Sequence, residues 1–426
     1  MDSKAATLLA EPRLGGASFR AWDGRRWVEA ASSDFDGHSL TVVVDSLVDA
    51  VSRSPARGPP PGTPSTVRGE WSTRPRRPMS AMGPEELVSR ARTALGWAKS
   101  SEAIQEAQVR IDWDEDERLY LNTMGARCSQ TVHRTRFSVV PLAIEGGRAQ
   151  FDFFSRGGVG GEEILDSLTE ENVAATARRS KELLSAKEPP SGAMAVILDP
   201  GVAGFFAHES FGHGTEADQF LRDRSYLQPL LGQQVGPEFL TIVDDGSFPG
   251  GWGSIYCDDE GHPGQKSLLV EKGRFVGALH DTETAAAFHV KPTGNTRRSD
   301  FLSRAFVRMT NTYVEPGDRT LEELVEEAHE GVLLERGTSG IEDPLGGQMQ
   351  LKVKMGRRIE NGRLTDLVSS MALSGRVLDF LKAIRGVARR SRLEMEPGYC
   401  GKGHGDYIPA GSGGAYLLSQ AIVGRA

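Results

Sequence analysis

The sequence predicts an α+β protein, with an N-terminal α+β domain followed by a C-terminal domain rich in antiparallel β-strands. Two observations predict this class. Runs of alternating apolar and polar residues, typical of antiparallel strands, lie between residues 109 and 154 and dominate residues 238–375. Helical spacing of apolar residues is confined to a few separate segments. One of these segments, in the C-terminal half, is apolar nearly all round, which predicts a buried helix.

Length and composition limit the possible functions. With 426 residues, the chain is long enough for two domains, and the Pro- and Gly-containing segment 187–192 predicts a boundary between residues 1–190 and 191–426. The net charge of -8 gives no general reason to expect nucleic-acid binding. No apolar run is long enough for a membrane span or a signal peptide. Three cysteines argue against a disulfide framework, so the expected location is the cytoplasm.

The N-terminal domain begins with short elements. Residues 17–22 and 26–30 alternate as strands do around an Asp-Gly turn, and residues 40–51 have helical spacing. Residues 53–84 contain eight prolines and six arginines, which predicts a Pro/Arg-rich linker or mobile loop. The alternative is a basic arm for nucleic acid or an acidic partner.

The rest of this domain alternates between strands and helices. A helix is predicted over residues 84–98, strands over residues 109–113, 117–122, 128–140 and 149–154, and a helix over residues 170–186. The glycine cluster at residues 157–161 lacks the spacing of a nucleotide-binding loop, which predicts a turn.

The C-terminal domain begins with an apolar strand at residues 195–198 that leads into the buried helix. Many short strands follow it, with a helix at residues 320–330 and another at residues 369–388. The glycine-dense segment 397–406 predicts a loop, and residues 415–423 predict a last strand.

The buried helix carries the main candidate site. Asp199 is a good N-cap and Pro200 suits the first helical position. From there to His213, the only strongly polar side chains are His208, Glu209 and His213. Buried ionisable groups need a partner or a metal, so two histidines and a glutamate here predict two metal ligands and a general acid/base. The competing interpretation is two hydrogen-bonded core histidines on an ordinary helix.

The spacing of the two histidines differs from that of the familiar zinc-peptidase helix. His208 and His213 are five residues apart, which places them about 140° apart on an ideal α-helix. Either the helix widens by a π-type turn, or it ends near Gly212 and His213 turns back. The flanking residues Gly212 and Gly214 permit both arrangements.

A zinc peptidase needs a third protein ligand and one open position. Cys400 is a candidate because it lies in the glycine-dense segment, with Lys402 nearby to favour its thiolate form. His404 in the same segment is the competing ligand. Glu216 or Asp218 could orient a metal-bound imidazole, although a solvated helix end explains them nearly as well.

These motifs and their order resemble the TldD half of the TldD/PmbA metallopeptidase family. The resemblance is carried by the His-Glu-x-x-x-His helix and the segment Gly-Tyr-Cys-Gly-Lys-Gly at residues 398–403. Three further stretches are similar: Asp-Asp-Gly-Ser-Phe-Pro-Gly at 244–250, Asp-Asp-Glu-Gly-His-Pro-Gly-Gln-Lys at 258–266 and Pro-Thr-Gly-Asn-Thr-Arg-Arg at 292–298. The resemblance is close from about residue 191 onwards.

The resemblance implies a zinc-dependent peptidase with His208, His213 and Cys400 as Zn²⁺ ligands and Glu209 as the catalytic carboxylate. Glu209 would take a proton from the attacking water and pass it to the leaving amine. The resemblance also implies a homodimer, or a heterodimer with a metal-free TldE/PmbA-like paralogue, that admits small or unstructured peptides. Whether the substrate is general peptide debris or one dedicated precursor stays open.

Three further residues are candidates for substrate binding. His262 lies in one of the motifs shared with the family, Arg297 is placed to bind a peptide carboxylate, and His404 lies beside the Cys400 motif. For each of the first two, ordinary packing or surface pairing is the competing interpretation. A zinc-stabilised, non-catalytic binding or regulatory subunit of a peptidase complex is the alternative function; a closed four-ligand site would distinguish it from an open catalytic one.

Overall fold

The structure is a computed structural model that describes residues 13–55, 58–99, 101–390, 393–402 and 406–426. The elements of the N-terminal part are β1 (Ala17–Trp22), β2 (Trp27–Ser32), α1 (Gly37–Ser52), β3 (Arg68–Ser72), α2 (Pro84–Ala98), β4 (Ile104–Leu121), β5 (Arg127–Glu145), β6 (Arg148–Phe151), β7 (Phe154–Val159) and α3 (Glu170–Glu182).

The elements of the C-terminal part are β8 (Gly192–Leu198), α4 (Pro200–Ala207), α5 (Ala217–Phe220), β9 (Ile242–Asp245), β10 (Lys266–Glu271), β11 (Arg274–Phe275), α6 (Thr282–Ala287), β12 (Thr296–Arg297), β13 (Phe306–Val307), β14 (Asn311–Val314), α7 (Leu321–Ala328), β15 (Gly331–Glu342), β16 (Gln348–Glu360), β17 (Arg363–Val368), β18 (Met371–Arg376), α8 (Val377–Lys382), β19 (Gly386–Val387), β20 (Met395–Lys402), β21 (Asp406–Gly413) and β22 (Leu417–Arg425). This combination of helices with largely antiparallel sheets confirms the predicted α+β class.

The first elements match the sequence pattern. Strands β1 and β2 pair antiparallel, and the Asp23 carboxylate between them accepts hydrogen bonds from two following backbone N–H groups, each at 2.8 Å. Helix α1 begins after Asp36, whose carboxylate accepts the N–H groups of His38 and Ser39. Such side chains fix element boundaries because they satisfy backbone donors that a turn or a first helical turn leaves free.

The central sheet is organised around β5. Strand β4 pairs antiparallel and β3 parallel with it, and β6 and β7 pair with its later residues. The prediction of separate strands at residues 109–113 and 117–122 is wrong, because β4 is continuous through the acidic residues between them. These residues face the buried Arg134 of β5, whose Nη1 lies 3.7 Å from Asp114 and 3.8 Å from Asp116.

Two segments rich in proline or glycine are more ordered than predicted. Residues 68–72, within the predicted linker or mobile loop, form β3, and Ser65 just before it donates a hydrogen bond to the carbonyl of Gly261 at 2.6 Å. Gly157 and Gly158, predicted in a turn, belong to β7. A Cβ atom at Gly158 would lie 2.5 Å from the carbonyl oxygen of Gly250, so this strand has no room for a side chain there.

Strand β5 also holds the central sheet against the C-terminal part. The guanidinium of Arg134 donates to the carbonyls of Trp252 (3.0 Å) and Ser254 (3.2 Å). The amide of Gln130 donates to the carbonyl of Cys257 at 2.7 Å. These contacts are buried or partly buried, so three carbonyls of the 252–257 segment are satisfied by side chains of the central sheet.

The C-terminal part contains two main sheets. One is six-stranded, in the order β11-β10-β9-β14-β21-β20. The other runs β15-β8-β22-β18-β16 and closes into a barrel because β16 also pairs with β15, while β17 pairs with β16. Helix α4 contacts β15 of the barrel as well as β14 and β21 of the six-stranded sheet. The buried helix therefore lies between the barrel and the sheet.

Two predictions for the last quarter of the chain are wrong. The helix predicted over residues 369–388 is strand β18 followed by the short helix α8, because residues 371–376 pair with β16 and β22 in the barrel. The loop predicted over residues 397–406 is largely an antiparallel hairpin of β20 and β21, in which Cys400 lies opposite Ile408. In both segments strand pairing overrides the local pattern.

In the portion of the chain that the structure describes, no helix has the length and apolar character needed to cross a lipid bilayer.

Close packing of α4 against β21 gives a stability prediction. A Cβ atom at Gly204 would lie 2.4 Å from the nitrogen and 2.7 Å from the Cα of Gly413, and backbone atoms cannot rotate away. Gly204→Ala is therefore expected to lower the free energy of unfolding by about 1–3 kcal/mol. In the same helix, the nearest atom to a Cβ at Gly201 is 3.5 Å away. Gly201→Ala should cost nothing, or gain up to about 1 kcal/mol. Equal urea-denaturation curves for the two variants would contradict this packing.

Candidate metal centre

The helix that carries the two histidines begins as predicted and then widens. Asp199 caps α4 by accepting the N–H of Val202 at 2.7 Å, and Pro200 occupies the first helical position. After Ala207 the backbone makes a π-helical turn over His208–Gly212, in which the N–H of His213 donates to the carbonyl of His208. Of the two arrangements that the sequence permits, the structure therefore has the π-type turn.

The π-helical turn brings the two imidazoles together. An ideal α-helix would separate side chains five residues apart by about 140°. Here the ring centroids of His208 and His213 are 5.2 Å apart, with the rings nearly perpendicular. Gly212 is needed in this turn because a Cβ atom there would overlap the Met309 sulfur, at 1.8 Å.

Cys400 completes a group of three donor residues. It is buried on β20, the edge strand of the six-stranded sheet, and its sulfur lies 3.3 Å from Nε2 of His213. The ligand atoms of His208, His213 and Cys400 all lie within 4.8 Å of one another. The structure thus brings together the three residues predicted as ligands, from positions far apart in the chain.

The three donors influence one another's protonation. Burial alone would raise the pKa of the Cys400 thiol, but the imidazoles of His213 and His208 hold it well below its usual value. Burial would likewise lower the pKa of both histidines, but the Cys400 sulfur holds each pKa above its usual value. The ammonium group of Lys402, predicted to favour the thiolate, bonds to Glu216 and Asp218 in the structure.

Glu216 supports His213 from the side opposite the sulfur. Its carboxylate lies 3.5 Å from Nδ1 of His213 and is almost completely buried. Burial would raise the pKa of Glu216, but Lys402 and His213 lower it to about 2. An ionised carboxylate facing Nδ1 favours a proton on that nitrogen and leaves Nε2 free to bind a metal. Of the two acids that the sequence singles out, only Glu216 contacts the imidazole in the structure.

Glu209 is half-buried and lies against β15 of the barrel. A Cβ atom at Gly340 would lie 2.5 Å from Cγ and 3.0 Å from Oε1 of Glu209. The missing side chain at position 340 therefore makes the space that Glu209 occupies. The sequence gives no indication of this contact, because Gly340 lies in a strand with no motif of its own.

Glu342 is a second residue that the sequence analysis misses. Burial raises the pKa of its carboxyl group to about 8, an effect opposed by His213 and reinforced by Glu209. The hydroxyl of Tyr226 interacts with this carboxyl group and also opposes the rise in its pKa. A third carboxyl group therefore lies near the histidines, on the same strand as Gly340.

Two of the remaining predicted residues, His262 and Arg297, lie outside the group of three donors. His262 is partly buried, with Nε2 3.1 Å from the hydroxyl of Thr282. Arg297 is buried, and its Nη1 donates to the carbonyls of Met309 and Pro409 at 2.8 and 2.7 Å. His404 lies outside the described residues. Roles of these three residues in substrate binding stay predictions.

Two domain models of a single family match the chain. The model of the PmbA/TldA metallopeptidase C-terminal domain matches residues 191–418 and contains all three donors. The model of the central domain of the same family matches residues 77–188. The chain belongs to the PmbA/TldD metallopeptidase family. The resemblance seen in the sequence motifs is thereby confirmed.

Relatives of known name are similar over most of the chain. A metalloprotease of Methanocaldococcus jannaschii is 37% identical over 308 residues, which are 72% of this chain and 67% of that protein. A metalloprotease TldD homolog of Buchnera aphidicola is 30% identical, over 76% of this chain and 69% of its own. A zinc metalloprotease TldD homolog of Saccharolobus solfataricus is 32% identical over 56% of this chain and 53% of that protein.

Solved structures share the fold. A Thermotoga maritima protein described as a putative modulator of a DNA gyrase has a TM-score of 0.73 and 20% identity, covering 96% of this chain and 94% of its own. TldE from Thermococcus kodakarensis has a TM-score of 0.71 and 16% identity, covering 96% and 89%. At these identities the likeness concerns the architecture alone.

Proposed function

We propose that the protein is a zinc-dependent peptidase that hydrolyses peptide bonds of small or unstructured peptides. The observation that carries this proposal is the group formed by His208, His213 and Cys400, with Glu209 next to the first histidine. The names of the relatives support peptidase activity, and one of those names supports zinc.

The donor set fits zinc. Two neutral imidazoles and one thiolate are ligands that Zn²⁺ prefers, and they leave the bound ion with a net charge of about +1. Among the described residues, three donors form the group, and a catalytic zinc site has three protein ligands and one open position. The buried carboxylate of Glu216 behind His213 is a further feature of metal-binding histidines.

The residues of the site have separate roles in the proposed reaction. A zinc ion held by the three donors would supply Lewis-acid polarisation of a carbonyl group and lower the pKa of water to about 7. Glu209 accepts the proton of the attacking water on a carboxylate oxygen and delivers it to the leaving amine. Glu216 holds the proton on Nδ1 of His213, and Gly340 leaves the space in which Glu209 is positioned.

The family also suggests where and with which partner the protein works. We propose a cytoplasmic enzyme that acts as a homodimer or together with a TldE/PmbA-like paralogue. The shared fold with TldE supports such a pairing, because similar subunits can form a pseudo-symmetric interface.

Zinc content tests the ligand set. Elemental analysis is expected to find about one zinc per chain in the wild type and a marked loss in Cys400→Ser, because a hydroxyl group is a much poorer zinc ligand than a thiolate. Cys257→Ser is the matched control, since Cys257 is equally buried but lies outside the donor group. Full zinc in Cys400→Ser would remove Cys400 from the ligands.

Turnover tests the role of Glu209. Glu209→Gln should keep its zinc and lose about 10²- to 10⁴-fold in peptide hydrolysis, because an amide cannot carry the proton. Measuring both quantities on one preparation separates the outcomes. Wild-type activity in Glu209→Gln would refute the assignment, and a zinc-loaded wild type that cleaves no peptide would support the regulatory-subunit alternative.

The fit between Gly340 and Glu209 gives a further prediction. Gly340→Ala should displace the flexible Glu209 side chain and lower turnover about 10- to 100-fold, with zinc content and melting temperature nearly unchanged. Gly337→Ala is the control on the same strand, because its Cβ would meet the ring of Phe205 at 2.6 Å instead. That variant should lose stability and keep its activity when folded. The reverse pattern would show that Gly340 does not position Glu209.

A further inference from the structure

Lys402 links the strand of Cys400 to the segment that follows His213. Its Nζ donates to Oε2 of Glu216 (2.9 Å), Oδ1 of Asp218 (2.8 Å) and the carbonyl of Val307 (3.0 Å). An ammonium group has three protons, and these three acceptors use all of them. The Lys402 side chain is only 10% exposed, so water competes little for these bonds.

Glu216 is the point where these contacts meet. Its side chain is 1% exposed and faces Lys402, Nδ1 of His213 and, at 3.8 Å, Nε of Arg308. Arg308 in turn donates to the carbonyls of Cys400 and Asp406, one on each strand of the hairpin. Two cations of the chain thus connect the Cys400 hairpin to the carboxylate that supports His213.

Cys400 and the two histidines of the donor group lie on segments that are far apart in the chain. The sulfur of Cys400 and the imidazole of His213 come from positions 187 residues apart, yet they lie 3.3 Å from each other. Their separation is set by the packing of α4 against β21 and by contacts between the hairpin and the segment after the π-helical turn. In the described residues, Lys402 and Arg308 make such contacts through charged groups.

We propose that Lys402 is a positioning residue that locks the Cys400 hairpin to Glu216 and so sets the metal-binding geometry of Cys400 and His213. This inference rests on the proposed zinc function. A lock of this kind raises metal affinity because the ordering of the hairpin is already accomplished before the ion binds. It also holds Glu216 in place to orient the imidazole. Lys402 acts through these groups and is not itself a ligand.

Zinc affinity of the full chain tests the lock. The zinc dissociation constant of metal-free protein, measured by competition with a chromophoric chelator, is expected to rise about 10- to 100-fold in Lys402→Met. Cobalt(II) provides a second readout, since its thiolate charge-transfer band reports whether Cys400 remains bound. That band should weaken or shift in Lys402→Met. Lys402→Arg keeps a cation at this position and should recover part of the affinity.

A matched control separates the lock from a general loss of an ion pair. Lys266 pairs with Glu315 in the same sheet, at an exposed position remote from the donors. Lys266→Met should leave the zinc dissociation constant and the cobalt spectrum unchanged. Melting temperatures of the metal-free variants show whether an effect reflects overall stability.

Glu216→Gln provides a second, independent test, because Lys402→Met removes the ammonium group from the buried Glu216 and the partly buried Asp218 and could fail to fold. Glu216→Gln is expected to weaken zinc binding to a similar degree. In the double variant the two effects should not add, since both changes break one path of contacts. Asp218→Asn, which alters a Lys402 contact but not His213, should have a smaller effect.

The outcomes are distinct. Folded Lys402→Met that binds zinc with wild-type affinity and shows the wild-type cobalt spectrum would overturn the lock. If that variant does not fold, wild-type zinc affinity in Glu216→Gln would overturn it. The proposed peptidase function fails separately, if the zinc-loaded wild type cleaves no peptide, and the ratio of dissociation constants does not depend on that result. A wild type that binds no zinc would refute both proposals.

Discussion

The hydrogen bond from the N–H of His213 to the carbonyl of His208 is the interaction on which the metal centre depends. It replaces the usual α-helical bond by one that spans five residues, which turns two side chains from different faces towards one point. Such widened turns are uncommon, since they give up regular α-helical hydrogen bonding. Those that exist occur frequently at functional sites. Here the turn is held between a barrel and a sheet, with Gly212 pressed against Met309, so the surrounding packing stabilises it.

Much of this site could be predicted from sequence because it follows local rules. The helix start depends on Asp199 and Pro200, which are neighbours in the chain, and the buried character of the helix follows from its composition. The choice between a π-type turn and a broken helix could not be made, because glycine at positions 212 and 214 allows both. The close contact of Gly212 with Met309, nearly 100 residues away, is invisible in a single sequence.

The features that escaped prediction depend on partners distant in the chain. The acidic residues in the middle of β4 predict a break between two strands. The strand continues because the buried Arg134 of β5 lies opposite them. The segment around Cys400 has the glycines of a loop, yet it pairs residue by residue with β21, which in turn pairs with the distant strand β14. Lys402 was expected to act on the thiol two positions away, whereas the buried acids that follow His213 bind it more closely. In each case a charge or a strand edge is satisfied by a long-range contact.

The hydrogen bonds from Arg134 and Gln130 to the 252–257 segment limit how the two parts of the chain can be separated during evolution. Those backbone carbonyls belong to the half of the chain that holds the donors, but their hydrogen-bond donors belong to the central sheet. A fragment that began near residue 191 would lose these hydrogen bonds and would expose to water the surface that the central sheet covers. The part of the chain that holds the metal centre is therefore stabilised by the central sheet. Recombination that separated the two parts would be selected against at the level of folding, before any effect on catalysis.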